Sequence, residues 1–211
     1  QGSVVKATAI DPSVVDADNV YRHRGPARVF TSEKAAVAAI KGLSEPAVKP
    51  HDVLVLIGVG PLGTGMEETY QVTAALKYIP WGKTVSVLTD ARFSGVSTGA
   101  CIGHIGPEAL AGGAIGRVRD GDTIAITIDR NTLSATIDLV ETVDGEDWET
   151  RPVHPDVRRH PQLPDDTRLW AALQRASGGV WAGTVYDVDK IVQVIERGLE
   201  AMATDEREQV G

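Results

Sequence analysis

Several residue types and patterns are scarce in this chain of 211 residues. Cysteine occurs once, as Cys101, which excludes an internal disulfide and fits a reducing compartment, so we expect a cytoplasmic protein. No apolar run approaches the roughly 20 residues that cross a bilayer, so no membrane contact is expected. Lys and Arg form no cluster, and 29 acidic residues outnumber 21 basic ones, which gives a formal charge of −8. A nucleic-acid partner is therefore not expected.

The composition predicts an ordinary globular protein. Hydrophobic residues make up 42% and charged residues 24% of the chain, which is enough to bury a core in one domain. The opening, Gln1-Gly2-Ser3, leads without an initiator Met into apolar residues, so we expect a piece of a longer protein. Residues 1–140 are predicted to form the main domain. Residues 141–211 are predicted to be an acidic linker and the closing helices of the same domain.

Alternating and continuous apolar segments predict the secondary structure. Strands are predicted at 4–10, 27–30, 52–59, 84–88, 115–119, 123–128 and 132–137. Helices are predicted at 33–41, 66–79, 166–176 and 187–202, followed by a frayed tail. Thr31 or Ser32 is expected to cap the first helix. An Asp-Gly turn at 120–121 makes the last three strands a predicted β-meander.

The most polar segment of the chain is the long loop predicted within residues 85–116. Each of its many glycines adds backbone entropy that folding must remove, so packing alone does not account for this composition. Loops of this length usually carry function, and a plain surface connection is the alternative. The polar or reactive residues of this segment are Asp90, Arg92, Ser94, Ser97, Thr98, Cys101, His104 and Glu108.

A second glycine-rich loop, from Gly58 to Gly65, contains GVGPLG and matches the dinucleotide-binding pattern G-x-G-x-x-G. It follows a predicted buried strand and precedes a helix. However, Pro61 removes a backbone N–H from the turn, and Gly65 delays the start of the helix. The next strand also ends 27 residues after the motif, longer than the usual spacing of about 20. A stand-alone nucleotide- or small-molecule-binding module is therefore kept as the alternative function.

Three short motifs have both a structural and a functional interpretation. Glu67 and Glu68 stand at the start of a predicted helix, where the macrodipole favours negative charge; the functional interpretation is a carboxylate directed at a divalent cation. Ser94 lies in Arg-Phe-Ser-Gly rather than Gly-x-Ser-x-Gly, so a turn residue is expected rather than an acyl-enzyme serine. Cys101 and His104 are too few for a metal site and are predicted to be a buried thiol and a structural histidine.

Two longer segments carry a resemblance to a known family. They are GPLGTGMEETYQVTAAL at 60–76 and TDARFSGVSTGACIGHIGPEALAGGAIG at 89–116, supported by GPARVF at 25–30. Over most of residues 1–140 the chain resembles the C-terminal half of the dihydroxy-acid and sugar-acid dehydratase family. MEETYQV, TDARFSG, and the later LPDDTRLW and SGGVWAGTVYDV resemble the xylonate dehydratase branch in particular.

The resemblance implies roles for individual residues. The serine that removes the C2 proton of the substrate in this family falls on Ser94. The glutamate that binds Mg²⁺ falls on Glu68, and Glu67, which replaces the family's usual proline, is the alternative ligand. Substrate binding is assigned to Arg92, Ser94 and Thr98.

The resemblance also implies a fold and an activity. The expected fold is a β-rich α/β fold, the swivelling β/β/α barrel-like domain, with C-terminal helices. The expected protein is a hydro-lyase that dehydrates a sugar acid such as xylonate to a 2-keto-3-deoxy acid with Mg²⁺ and an iron–sulfur cluster. Because a cluster needs several thiolates, its ligands are expected in an N-terminal domain of the same protein. That domain, the sugar acid and a second copy in a homo-oligomer are the expected partners, and the isolated chain is expected to be inactive.

Overall fold

The computed structural model describes residues 2–179 and 185–210. The strands in these ranges are β1 (Val4–Val5), β2 (Val20–Phe30), β3 (Val53–Leu56), β4 (Glu68–Thr69), β5 (Ser86–Thr89), β6 (Arg92–Phe93), β7 (Ala100–Gly103), β8 (Thr123–Asp129) and β9 (Ser134–Glu141). The helices are α1 (Glu33–Ile40), α2 (Pro61–Thr64), α3 (Gln71–Lys77), α4 (Asp165–Ala176) and α5 (Val188–Val210). Short 3-10 turns connect several of these elements.

Seven of the strands form one mixed sheet in the order β1-β7-β5-β3-β2-β8-β9. The four strands β7, β5, β3 and β2 run parallel to one another. Strand β1 and the β8–β9 hairpin are antiparallel to their neighbours. The sheet curls into a half-barrel, and helices follow it at the C-terminal end. The predicted β-rich α/β fold, barrel-like with C-terminal helices, is confirmed.

The central strands are apolar on both faces because both faces of the sheet are covered. Every residue of β3, β5 and β7 is buried, as expected for parallel strands between two layers. Successive side chains of a strand point to opposite faces. Val53 and Val55 of β3 accordingly pack into a core that includes β8, whereas Leu54 and Leu56 pack into a second core beneath α1 and α3.

The first strand of the predicted meander is corrected by the structure. Residues Ala114–Arg117 form a 3-10 turn where a strand at 115–119 was predicted, so that prediction is wrong. The chain folds back tightly there, since a Cβ on Gly113 would lie 1.7 Å from the carbonyl oxygen of Pro107. The third strand beside β8 and β9 is instead β2, which runs antiparallel to β8 along seven register pairs.

Other predicted elements have different lengths. The helix predicted at 66–79 begins at Gln71, because the residues before it form β4. The long loop contains two strands, β6 and β7. The strand predicted at 4–10 is reduced to β1 and a 3-10 turn, and the one predicted at 27–30 is the end of the longer β2. Helix α5 continues to Val210, where a frayed tail was predicted. Among the described residues, no helix is both long and apolar enough to cross a bilayer.

Candidate active site

A two-stranded parallel pairing joins the two sequence motifs. Strands β4 and β6 pair with Glu68 opposite Arg92 and Thr69 opposite Phe93. The Thr69 hydroxyl donates a hydrogen bond to the backbone oxygen of Arg92 at 3.1 Å. Strands β3 and β5 are parallel neighbours, so the segments that follow them leave the sheet at the same edge. The predicted metal ligand, Glu68, is thereby brought beside the predicted substrate-binding residue Arg92.

Ser94 follows β6 directly and opens a tight turn. Its backbone oxygen accepts a hydrogen bond from the Ser97 N–H at 2.9 Å. Its hydroxyl accepts only a long hydrogen bond, 3.4 Å, from the Val96 N–H. A contact of that length is weak, so the hydroxyl of Ser94 is held loosely and is partly exposed. The turn interpretation and the functional interpretation therefore both fit the local backbone.

Thr98 lines a cavity that the other predicted site residues do not line. The cavity has a volume of about 580 Å³ and lies between the start of β7 and the segment after α3, where Ala9 and Tyr78 also lie. Glu68, Arg92 and Ser94 are not among the described residues that line this cavity. The prediction that Thr98 binds substrate gains no support from its position.

His104, predicted to be a structural histidine, lies next to the site. The His104 ring packs edge-to-face against Phe93, with centroids 6.3 Å apart. The backbone N–H of His104 donates a hydrogen bond to the backbone carbonyl of Ala91 at 2.7 Å. Partial burial and the positive charge of Arg92 both lower the pKa of His104. Its backbone has a positive φ of 54°, and Met66, just before the Glu67-Glu68 pair, has one of 69°. Non-glycine residues in this region are strained and concentrate at functional sites.

The long loop also supplies two buried carboxylates that bind backbone amides. Asp90 accepts hydrogen bonds from the N–H groups of Gly58 at 3.0 Å, Val59 at 3.1 Å and Ala109 at 2.9 Å. Glu108 accepts from the Leu62 N–H through both oxygens, at 2.9 and 3.1 Å. Burial raises the pKa of both acids, and that of Glu108 rises to about 7 with the neighbouring Asp90 charge contributing. Sequence reasoning placed both in a functional loop without identifying these amide partners.

These hydrogen bonds use the backbone N–H groups that a nucleotide would need in the glycine loop 58–65. A dinucleotide site needs free backbone N–H groups to bind pyrophosphate. Here the N–H groups of Gly58, Val59 and Leu62 already donate to Asp90 or Glu108, and Pro61 has none. The alternative function as a nucleotide-binding module built on this loop therefore does not fit the geometry.

Comparison with known proteins agrees with the motifs. The family model described as "Dihydroxy-acid/6-phosphogluconate dehydratase C-terminal" matches residues 1–177. The chain belongs to this family. D-xylonate dehydratase YagF of Escherichia coli (strain K12) is 57% identical over 210 residues, which cover 96% of this chain and 32% of the relative. D-xylonate dehydratase YjhG of the same organism is 55% identical over 201 residues, 90% of this chain and 30% of the relative.

A dihydroxy-acid dehydratase of Moorella thermoacetica (strain ATCC 39073 / JCM 9320) is 44% identical over 154 residues, 72% of this chain and 26% of the relative. The higher identity to the two xylonate dehydratases confirms the predicted resemblance to that branch. This chain spans about a third of the length of the curated relatives it matches.

The described part of the chain, residues 2–179 and 185–204, holds no cluster of three or more potential metal ligands among its His, Cys, Asp and Glu side chains. Glu68 is an exposed carboxylate at the edge of the sheet, and Mg²⁺ commonly takes only one or two protein carboxylates. An exposed carboxylate of this kind has the chemistry of a Mg²⁺ ligand.

The two adjacent glutamates face different surroundings. The N–H of Glu67 donates to the hydroxyl of Thr64 at 2.9 Å, and Glu67 lines a cavity of about 430 Å³ with Lys34 and Arg158. Glu68 is not among the described residues lining that cavity and instead pairs with β6. Glu67 therefore lies at that cavity, and Glu68 lies beside Arg92.

Cys101 does not fit a cluster ligand. The thiol is free and buried within β7, and burial raises its pKa to about 12. Because thiolates are the metal ligands, a protonated buried thiol is unsuited to iron. The prediction of a buried thiol is confirmed, and an iron–sulfur cluster would need its cysteines elsewhere in the protein.

Proposed function

We propose that this chain is the C-terminal domain of a sugar-acid dehydratase that converts a pentonate such as xylonate into a 2-keto-3-deoxy acid. The β4–β6 pairing is the observation that carries the proposal, because it joins Glu68 and Arg92 next to Ser94. The xylonate dehydratase names of the two relatives above 50% identity support this substrate class.

In the proposed reaction Ser94 takes the proton from C2 of the acid. The electron pair of the C2–H bond forms the C2–C3 double bond as the C3–O bond breaks. The 3-hydroxyl leaves as hydroxide and takes up a proton from solvent to become water, and the resulting enol tautomerises to the 2-keto-3-deoxy acid. A serine hydroxyl is a poor base unless a nearby positive charge favours its alkoxide. Arg92 stands two residues away and has no ion-pair partner among the described residues. Its guanidinium is therefore available to stabilise negative charge on Ser94 or on the substrate carboxylate.

Glu68 is proposed to hold one Mg²⁺ ligand position, with the remaining ligands supplied from outside this chain. Bound Mg²⁺ would supply a Lewis acid that stabilises negative charge developing on the substrate carboxylate and 2-hydroxyl. The iron–sulfur cluster belongs to the same proposal and is assigned to the N-terminal domain. Thr98 remains a proposed substrate contact that its cavity does not support.

The rest of the dehydratase is the proposed main partner of this domain. We further propose that the complete protein is a cytoplasmic homo-oligomer. On this basis the isolated chain should fold and should not turn over pentonates.

The test is Ser94→Ala in the complete enzyme. Loss of a group that acts only in the transition state lowers kcat and kcat/KM together and leaves KM nearly unchanged. We expect kcat to fall by several orders of magnitude and exchange of the substrate's C2 proton with solvent to stop. Ser94→Thr is the matched control, because it keeps a hydroxyl at the same position and should retain part of the exchange. C2 exchange at the wild-type rate in the alanine variant would show that Ser94 is not the base.

A further inference from the structure

Two buried acids connect the segments that form the candidate active site. Asp90, four residues before Ser94, binds two amides of the loop that leads to Glu68 and one amide at Ala109. Glu108, four residues after His104, binds the Leu62 amide in the same loop. We call Asp90 and Glu108 the acid clamp. The proposed chemistry assigns them no step.

The acid clamp is unusual because no cation neutralises it. Asp90 is 2% and Glu108 1% exposed, and neither carboxylate forms a salt bridge within the described residues. Burying a charge without a cation is costly, and charge-assisted hydrogen bonds from amides offset only part of that cost. Replacement by two apolar residues would avoid the cost but would leave the amides of the loop without acceptors.

The loop around the acid clamp is tightly packed. A Cβ on Gly60 would lie 2.5 Å from the Glu108 Oε2 atom, and one on Gly63 would lie 2.0 Å from the Gly58 carbonyl oxygen. Strand β4, by contrast, is only two residues long. A pairing that short does not hold Glu68 rigidly by itself, so its position depends on how the preceding loop is anchored.

We infer that the acid clamp is a positioning device that sets the distance between Glu68 and Ser94. This inference rests on the proposed function. It assigns Asp90 and Glu108 to positioning, since neither needs to touch the substrate. Displacement of a catalytic group by about 1 Å costs on the order of 100-fold in rate, so a change in the clamp should reach the chemistry without removing any reacting atom.

The experiment uses Glu108→Gln, Glu108→Ala and Asp90→Asn in the complete enzyme. For each variant, kcat, KM and the Mg²⁺-induced rise in Tm are measured. We expect kcat to fall roughly 10- to 100-fold with KM little changed, and the Mg²⁺-induced rise in Tm to shrink. Gln keeps one oxygen that can accept from the Leu62 N–H, so Glu108→Gln should retain more of both quantities than Glu108→Ala.

Asp52→Asn is the control for a buried, amide-bound acid away from the site, although Asp52 also lies 3.9 Å from Arg28. Asp52 is also buried and accepts from a backbone amide, that of Lys49 at 2.8 Å, but it precedes β3 at the opposite edge of the sheet. Its variant should lose stability in the absence of Mg²⁺ and keep both kcat and the Mg²⁺-induced rise in Tm. If the acid clamp only stabilises the fold, the variants at Asp90 and Glu108 should behave like Asp52→Asn: they should lose stability and keep kcat and the Mg²⁺-induced rise in Tm. That result would overturn the inference. If Glu108→Ala does not fold, Glu108→Gln and Asp90→Asn are still compared with Asp52→Asn.

Ser94→Ala measured in the same assay separates the two possible failures. Wild-type kcat in Ser94→Ala would contradict the proposed function itself. Loss of kcat in Ser94→Ala together with wild-type kcat and Mg²⁺ response in Glu108→Gln and Asp90→Asn would contradict the positioning role alone.

Discussion

Buried carboxylates at two places in the molecule are neutralised in different ways. Asp122, just before β8, is fully buried and accepts from the Arg119 and Val143 amides at 2.8 and 2.9 Å. It also forms a 2.7 Å ion pair with the buried Arg151. The acid clamp of Asp90 and Glu108 binds backbone amides alone, with no cation among the described residues.

The two sites also differ in their place in the sheet. Asp122 lies beside the amino end of β3, since the Ala27 N–H donates to its backbone oxygen and Ala27 is the register partner of Val53. Arg151 neutralises the charge of Asp122, and this ion pair holds the segment after β9 against the sheet. The acid clamp lies at the carboxyl ends of β3 and β5, where ligand sites of parallel sheets form. Buried carboxyl groups without a cation partner are thus found where the family motifs lie.

The largest expected effect concerns the compensated site. Arg151→Met should destabilise the chain by about 3–5 kcal/mol, because it leaves Asp122 charged, buried and without its partner. Arg22→Met is the matched control. Arg151 pairs with two carboxylates, Asp122 and Asp144, and Arg22 pairs with Asp16 and Asp18 on the surface. Its loss should be much smaller. Urea denaturation measures the free energy of unfolding of both variants. Equal losses would show that burial does not make the Arg151 ion pair more important for stability than the exposed Arg22 pairs.

A smaller effect concerns pH and the clamp. Burial raises the pKa of Glu108 from its ordinary 4.5 to about 7, so the folded chain binds this proton more tightly than the unfolded chain. Glu108 therefore favours the folded state at low pH, and this contribution is lost as pH rises from about 4.5 through about 7. The free energy of unfolding of the wild type, measured relative to Glu108→Gln, should fall across that range and level off above it. A difference that stays constant with pH would show that Glu108 does not titrate in this way.

Sequence patterns predicted the parts of the fold that rest on local composition. The apolar run at 52–59 contains β3, and the expected cap of α1 is formed by Ser32, whose hydroxyl accepts from the Ala35 N–H at 3.3 Å. Strands β4 and β6 were missed because two-residue strands have no periodicity to detect. The turn at Ala114–Arg117 was predicted as a strand because an apolar run does not reveal how closely Gly113 approaches Pro107.

The candidate site shows the same limit. The family motifs predicted Ser94, Glu68 and Arg92, and the β4–β6 pairing places Arg92 opposite Glu68. The roles of Asp90 and Glu108 depend on amides 19 to 46 residues away, and no local pattern marks such partners.

Glu68, and not Glu67, is the proposed Mg²⁺ ligand of this domain. Mg²⁺ binding to the complete enzyme, measured by calorimetry for Glu68→Gln and Glu67→Gln, tests it most directly. Both side chains are exposed, so neither change should disturb the fold, and the two variants serve as controls for each other. We expect Glu68→Gln to weaken Mg²⁺ binding at least tenfold, about 1.4 kcal/mol, and Glu67→Gln to leave it within about twofold. Equal weakening by the two variants, or weakening by Glu67→Gln alone, would contradict the account.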